Sequence, residues 1–94
     1  PVLPMAEVET SYYLRLRVED KPGVLADITR ILADQQISID AMIQREPGEG
    51  EMQTDIIMLT HVTRERQIDG AIASIEALPV VKRKVIRLRL EELG

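Results

Sequence analysis

Val18-Glu19-Asp20-Lys21-Pro22-Gly23-Val24-Leu25 is the stretch on which the reading of this chain turns. An alternating segment runs into it and an amphipathic one runs out, with a Pro-Gly turn between them and an acid at the mouth of the turn. A turn that delivers the chain into a helix points backbone N–H groups and a carboxylate at one small volume. That volume suits a zwitterion, with amides for its carboxylate and Asp20 for its ammonium. The plainer alternative is that Asp20 caps the helix and Pro22-Gly23 only makes the turn, the commoner use of such residues. Local sequence leaves both open.

Outward from the turn, Tyr12, Leu14, Leu16 and Val18 alternate with Tyr13, Arg15, Arg17 and Glu19, the period of a half-buried strand. On the other side a helix is expected from about Pro22 to Gln35, because proline suits a first turn where its missing N–H would be unpaired anyway. Val24, Leu25, Ile28, Ile31 and Leu32 form its apolar stripe. Gln35-Gln36 stands at its end where glycine is usual. Ile37, Ile39, Ala41 and Ile43 alternate with Ser38, Asp40, Met42 and Gln44, giving a second strand. Glu46-Pro47-Gly48-Glu49-Gly50-Glu51 reads as an acidic turn. A third strand over about 53–62 is apolar on both faces, with Ile56 and Met58 on one and Ile57 and Leu59 on the other, as in a sheet centre or against a partner.

Thr63 is a suitable N-cap for a second helix, with Glu65 favourable in the first turn. Ile68, Ala71, Ile72, Ile75 and Leu78 give its stripe, and Pro79 stops it. The last strand, Val80 to Leu90, carries Ile86, Leu88 and Leu90 on one side. It is loaded with Lys82, Arg83, Lys84, Arg87 and Arg89, which fits protection of a sheet edge. The order β-α-β-β-α-β predicts an α+β, ferredoxin-like sandwich: a four-stranded antiparallel sheet of order 4-1-3-2 with both helices on one face.

Bulk properties narrow the function. The 94 residues make one domain, and 45% of them are hydrophobic, so a core exists; with no Trp, no Phe and two Tyr it is built from aliphatic residues and Met. A small core favours help from a partner, and a homodimer packed edge-to-edge or helix-to-helix is expected. A net charge of −4 argues against nucleic acid, as does the lack of central-strand aromatics. No apolar run approaches the ~18 residues of a membrane span and no signal peptide is visible, so no membrane partner is expected. The absence of cysteine fits a reducing, cytoplasmic setting. Residues 1–10 read as a linker tail and 11–94 as the domain, and the start at Pro1 suggests a piece of a longer protein.

Catalytic signatures are absent. His61 is the only histidine, with no cysteine or second histidine to share a metal, so no metal site is expected. Gly48 and Gly50 do not open a helix after a strand, which excludes a dinucleotide fingerprint. There is no phosphate loop, no nucleophile elbow and no carboxylate pair in an apolar setting.

The run Leu16 to Leu25, the helix after it and Ile37-Ser38-Ile39 resemble the ACT domain, a family of small regulatory modules that bind amino acids. The resemblance covers about residues 11–90. The stretches Pro4 to Leu16, Ile39 to Glu46 and Asp55 to His61 are also similar to the C-terminal region of the bacterial homoserine dehydrogenases, in which NAD(P)-binding and catalytic domains come first. The resemblance implies a regulatory tail without catalytic residues or cofactor of its own, sensing an end product of the aspartate pathway, threonine foremost. By position, Asp20, Gly23, Val24 and Leu25 would line one wall of an effector site, and Ser38 and Ile39 of a neighbouring subunit the other. Family members often carry Asn where Asp20 and Ser38 stand. Some members bind nothing and only dimerise, so a ligand-free dimerisation module is the alternative.

Overall fold

The computed structural model describes residues 8–90. The elements are β1 (Glu9–Glu19), α1 (Val24–Asp34), β2 (Ile39–Gln44), β3 (Gln53–Thr60), β4 (Thr63–Arg64), α2 (Glu65–Glu76) and β5 (Ile86–Leu90). The sheet is antiparallel. β2 pairs with β3, β3 with β1, and β5 lies along β1, which is the expected order with β5 as the fourth main strand.

The alternation of the sequence sets which side of the sheet is dry. Tyr12, Leu14, Leu16 and Val18 of β1 are fully buried, and in register with them so are Ile56 and Met58 of β3. α1 covers this face with Val24, Ile28 and Leu32, and α2 with Ile68, Ala71 and Ile75. The opposite face carries Tyr13, Arg15 and Arg17 beside Asp55, Ile57 and Leu59, and no helix of the described residues covers it. Arg15 Nη2 stands 2.7 Å from Asp55 Oδ2 and Arg17 Nη1 3.1 Å from Asp55 Oδ1.

Several boundaries differ from the sequence expectation. β1 already begins at Glu9, inside the segment read as linker; residues 1–7 lie outside the described part. β2 starts at Ile39 because Ile37 is drawn into the core and its N–H bonds Leu32 O, closing α1. β4 is an added element. Tyr13 faces Leu59 whereas Thr10 faces Thr63, so the chain gains one residue at the exposed His61-Val62 pair, a bulge, before it pairs with β1 again. Thr63 therefore does not cap α2. It is buried in β4 and its hydroxyl donates to Gln67 Oε1 at 3.1 Å, while Arg64 takes the cap position and its N–H also bonds Gln67 Oε1 at 3.2 Å. Gln67 Nε2 in turn donates to Gln35 O, tying the end of α1 to the start of α2.

The last strand is broken. Val81 bridges to Val18, and pairing resumes only at Ile86 opposite Arg15, leaving two extra residues on the outer strand. The Val85 N–H is satisfied by Glu76 Oε2 at 2.7 Å instead of by β1, and Lys82 Nζ reaches Glu19 Oε1 at 2.7 Å. The basic residues therefore do not line a continuous edge. Lys82, Arg83 and Lys84 occupy the break, while Arg87 and Arg89 turn onto α2 and meet Asp69 and the buried Glu65.

Candidate functional site

Gly23 shapes the Asp20–Leu25 turn. Its φ of 86° and ψ of −13° lie in the left-handed region, and it occupies the cap position of α1. No side chain caps this helix, so the Asp20 cap anticipated as the plainer reading is not what the chain does. The left-handed glycine carries the chain into the helix from a direction that leaves Asp20 at the end of β1, where its N–H bonds Met52 O at 2.9 Å and its side chain is exposed. Val24 N–H makes a long contact of 3.4 Å to Lys21 O, and Asp27 N–H bonds Gly23 O at 3.0 Å. The first-turn amides of Leu25 and Ala26 stay without a capping side chain, at the positive end of the α1 dipole. Val24 is only 6% exposed, so its side chain belongs to the core. Leu25 is half-buried at the rim.

No heavy atom lies within 4 Å of where a Gly23 Cβ would stand, so a substitution there meets only the backbone penalty of the left-handed region. Gly23→Ala is expected to lower unfolding free energy by about 1–2 kcal/mol, read from denaturant midpoints. An unchanged midpoint would mean that the turn does not hold this conformation.

Ser38 and Ile39 lie elsewhere. Ser38 is exposed and its carbonyl accepts the His61 N–H at 2.9 Å; Ile39 opens β2 opposite Thr60. They follow α1, whereas the turn precedes it, and an 11-residue helix is about 16 Å long. One chain thus holds the two predicted walls at opposite ends of α1. Only a second copy can set one against the other.

Sequence reasoning missed the ionic frame of the turn. Glu19 accepts both Lys21 Nζ at 2.8 Å and Lys82 Nζ at 2.7 Å. Lys21 was in view in the motif, but Lys82 is brought to Glu19 only by the bridge between Val81 and Val18. Lys21 and Lys82 together hold the Glu19 carboxyl at about 2, below its ordinary 4.5. Asp55 is likewise lowered, first by Arg15. A carboxyl depressed in the folded state stabilises fully above its unfolded pKa and loses that contribution as pH falls through the folded one. Stability should therefore fall from about pH 4.5 down to about pH 2, and Lys82→Met should flatten that decline. Urea midpoints across this window check it; the same slope in both proteins would remove Lys82 from the frame. His61 sits just past β3, exposed, with Nε2 3.6 Å from Asp40 Oδ1.

Residues 12–80 match the family model of the ACT domain. The chain belongs to the ACT domain family. This ACT domain is 69% identical over all its 94 residues to a homoserine dehydrogenase of Methylobacillus glycogenes, of which it spans 23%. The crystal structure of a homoserine dehydrogenase from Thiobacillus denitrificans matches the whole chain with a TM-score of 0.87 and 63% identity, and the chain covers 20% of it. The ACT domain of a GTP pyrophosphokinase from Chlorobium tepidum matches 86% of the chain with a TM-score of 0.69 at 16% identity, a likeness of fold alone. The ACT domain thus spans about a fifth of the curated relatives it matches. No helix among its described residues is long and apolar enough to cross a membrane.

Proposed function

We propose that this ACT domain is the amino-acid-sensing regulatory part of a cytoplasmic homoserine dehydrogenase, and that a homodimer binds threonine between its subunits. The observation that carries the proposal is the uncapped start of α1, held open by left-handed Gly23 beside the exposed Asp20. The amides at Leu25 and Ala26 meet the threonine carboxylate, and Asp20 meets its ammonium. Gly23 gives the ligand backbone access, Val24 anchors the turn in the core, and Leu25 forms the apolar rim. Ser38 and Ile39 of the second subunit read the side chain. The likeness to homoserine dehydrogenases along the whole chain supports this parent enzyme. The NAD(P) it uses and the residues that transfer hydride belong to the catalytic region, outside this domain.

A thermal-shift panel of amino acids on this chain tests the proposal. A ligand that binds only the folded form stabilises it by about 2.7 kcal/mol at a hundredfold excess over Kd. For a domain of this size that is a rise in Tm of about 10 °C or more. L-threonine should give a dose-dependent rise. No response to any amino acid would leave a ligand-free dimerisation module.

A further inference from the structure

The dry face of β1 carries a hydroxyl that the fold does not serve. Tyr12 lies on the helix side of the sheet with Leu14, Leu16 and Val18, and like them it is fully buried. A plain phenyl ring would fill the same apolar space. The Tyr12 hydroxyl is instead a buried polar atom without a hydrogen-bond partner among the described residues. Such a group costs free energy unless something pairs with it, and each one in a native structure calls for a reason.

A cavity lies beside it. Tyr12 lines a space of about 200 Å³ together with Glu65 of α2 and Arg87 and Arg89 of β5. Arg89 stands opposite Tyr12 in the β1–β5 register and Arg87 opposite Leu14, which puts both arginines on the helix side. Arg89 donates to Glu65 Oε1 through Nε at 3.0 Å and again through Nη2. Arg87 meets Asp69 through Nη1, one of the several N–H donors that a guanidinium carries. A guanidinium only donates, so neither arginine can take the phenolic proton, and Glu65 Oε1 already accepts twice from Arg89. The cavity lacks an acceptor. Two guanidinium groups and one carboxylate line it, so the acceptor that completes it is an anion. Asp69 lies outside the lining and is half-exposed, so its pair with Arg87 is screened by solvent.

The size narrows the ligand further. At about 30 Å³ for each water, the space holds about six waters or a molecule of about as many heavy atoms. A carboxylate can accept from the hydroxyl with one oxygen and from a guanidinium with the other. We infer that this cavity is a binding site for a small monocarboxylate, held by the Tyr12 hydroxyl and the Arg87 guanidinium between β5 and the first turns of α2. Tyr12 stands eight residues before Asp20 on β1, about 27 Å along an extended strand. The cavity is built by one chain, so it stands or falls independently of the proposed effector site.

Acetate is the probe. Chloride is exchanged for acetate at constant ionic strength, and the amide signals of the ¹⁵N-labelled chain are followed by NMR. The expected result is a saturable shift centred on Tyr12, Glu65, Arg87 and Arg89, distinct from any response at Asp20 to Ala26. Tyr12→Phe keeps the ring and should weaken acetate binding at these signals by about tenfold or more, because it removes a hydrogen bond to a charged group. Arg87→Gln, at a half-exposed ion pair, should weaken it severalfold. In chloride Tyr12→Phe should melt no lower than the wild type, since no partner within the chain is lost. No saturable shift at these four residues, or equal affinity in Tyr12→Phe, would overturn the site. A lower Tm for Tyr12→Phe in chloride would show the hydroxyl paired within the chain and would overturn it too.

Discussion

Leu16→Ala is expected to lower the unfolding free energy by about 2–5 kcal/mol, a large share of the roughly 5–15 kcal/mol that holds a domain of this kind together. Leu16 is fully buried at the middle of β1, opposite the equally buried Ile56 and beneath both helices. Truncation removes its transfer energy and leaves a cavity between elements that cannot close independently. The neighbouring Arg15→Ala removes a side chain from the other face of the same strand, where it makes a half-exposed ion pair with Asp55. Such pairs contribute at most about 1 kcal/mol. Urea unfolding of both variants reads the difference. Equal losses would reject the assignment of faces on β1.

The sheet was legible because the alternation through Leu14, Leu16 and Val18 is local, and because Ile56 and Met58 against Ile57 and Leu59 mark a strand with two apolar faces. The turn was legible for the same reason: Pro22-Gly23 carries its own geometry. Other features depend on groups distant in sequence. Thr63 has the chemistry of a helix cap, but its hydroxyl is taken by Gln67 after the bulge at His61-Val62. The last strand reads as continuous, yet Glu76 captures the Val85 N–H and opens a break. Asp20 has the chemistry of a cap and stands just ahead of the Lys21-Pro22-Gly23 turn, but the left-handed Gly23 takes the cap position instead. The proposed effector site is legible only by half, since Ser38 and Ile39, its proposed second wall, are at the far end of α1 in the same chain.

Asp20→Ala is expected to weaken threonine binding by about tenfold or more while leaving the fold intact. Hydrogen bonds to charged groups contribute roughly 1.5–3 kcal/mol each, and Asp20 is the carboxylate at the mouth of the turn that is proposed to meet the ammonium. Its side chain is exposed and caps nothing, so its removal leaves no buried group unpaired. The backbone bond from its N–H to Met52 O survives the substitution. Stability and affinity should therefore separate, in contrast to Gly23→Ala, which strains the turn itself. Calorimetric titration of L-threonine into the wild-type chain and into Asp20→Ala measures this directly. The account predicts saturable heat for the wild type and an affinity at least about tenfold weaker for the variant at unchanged Tm. Equal affinity in the two proteins would contradict it.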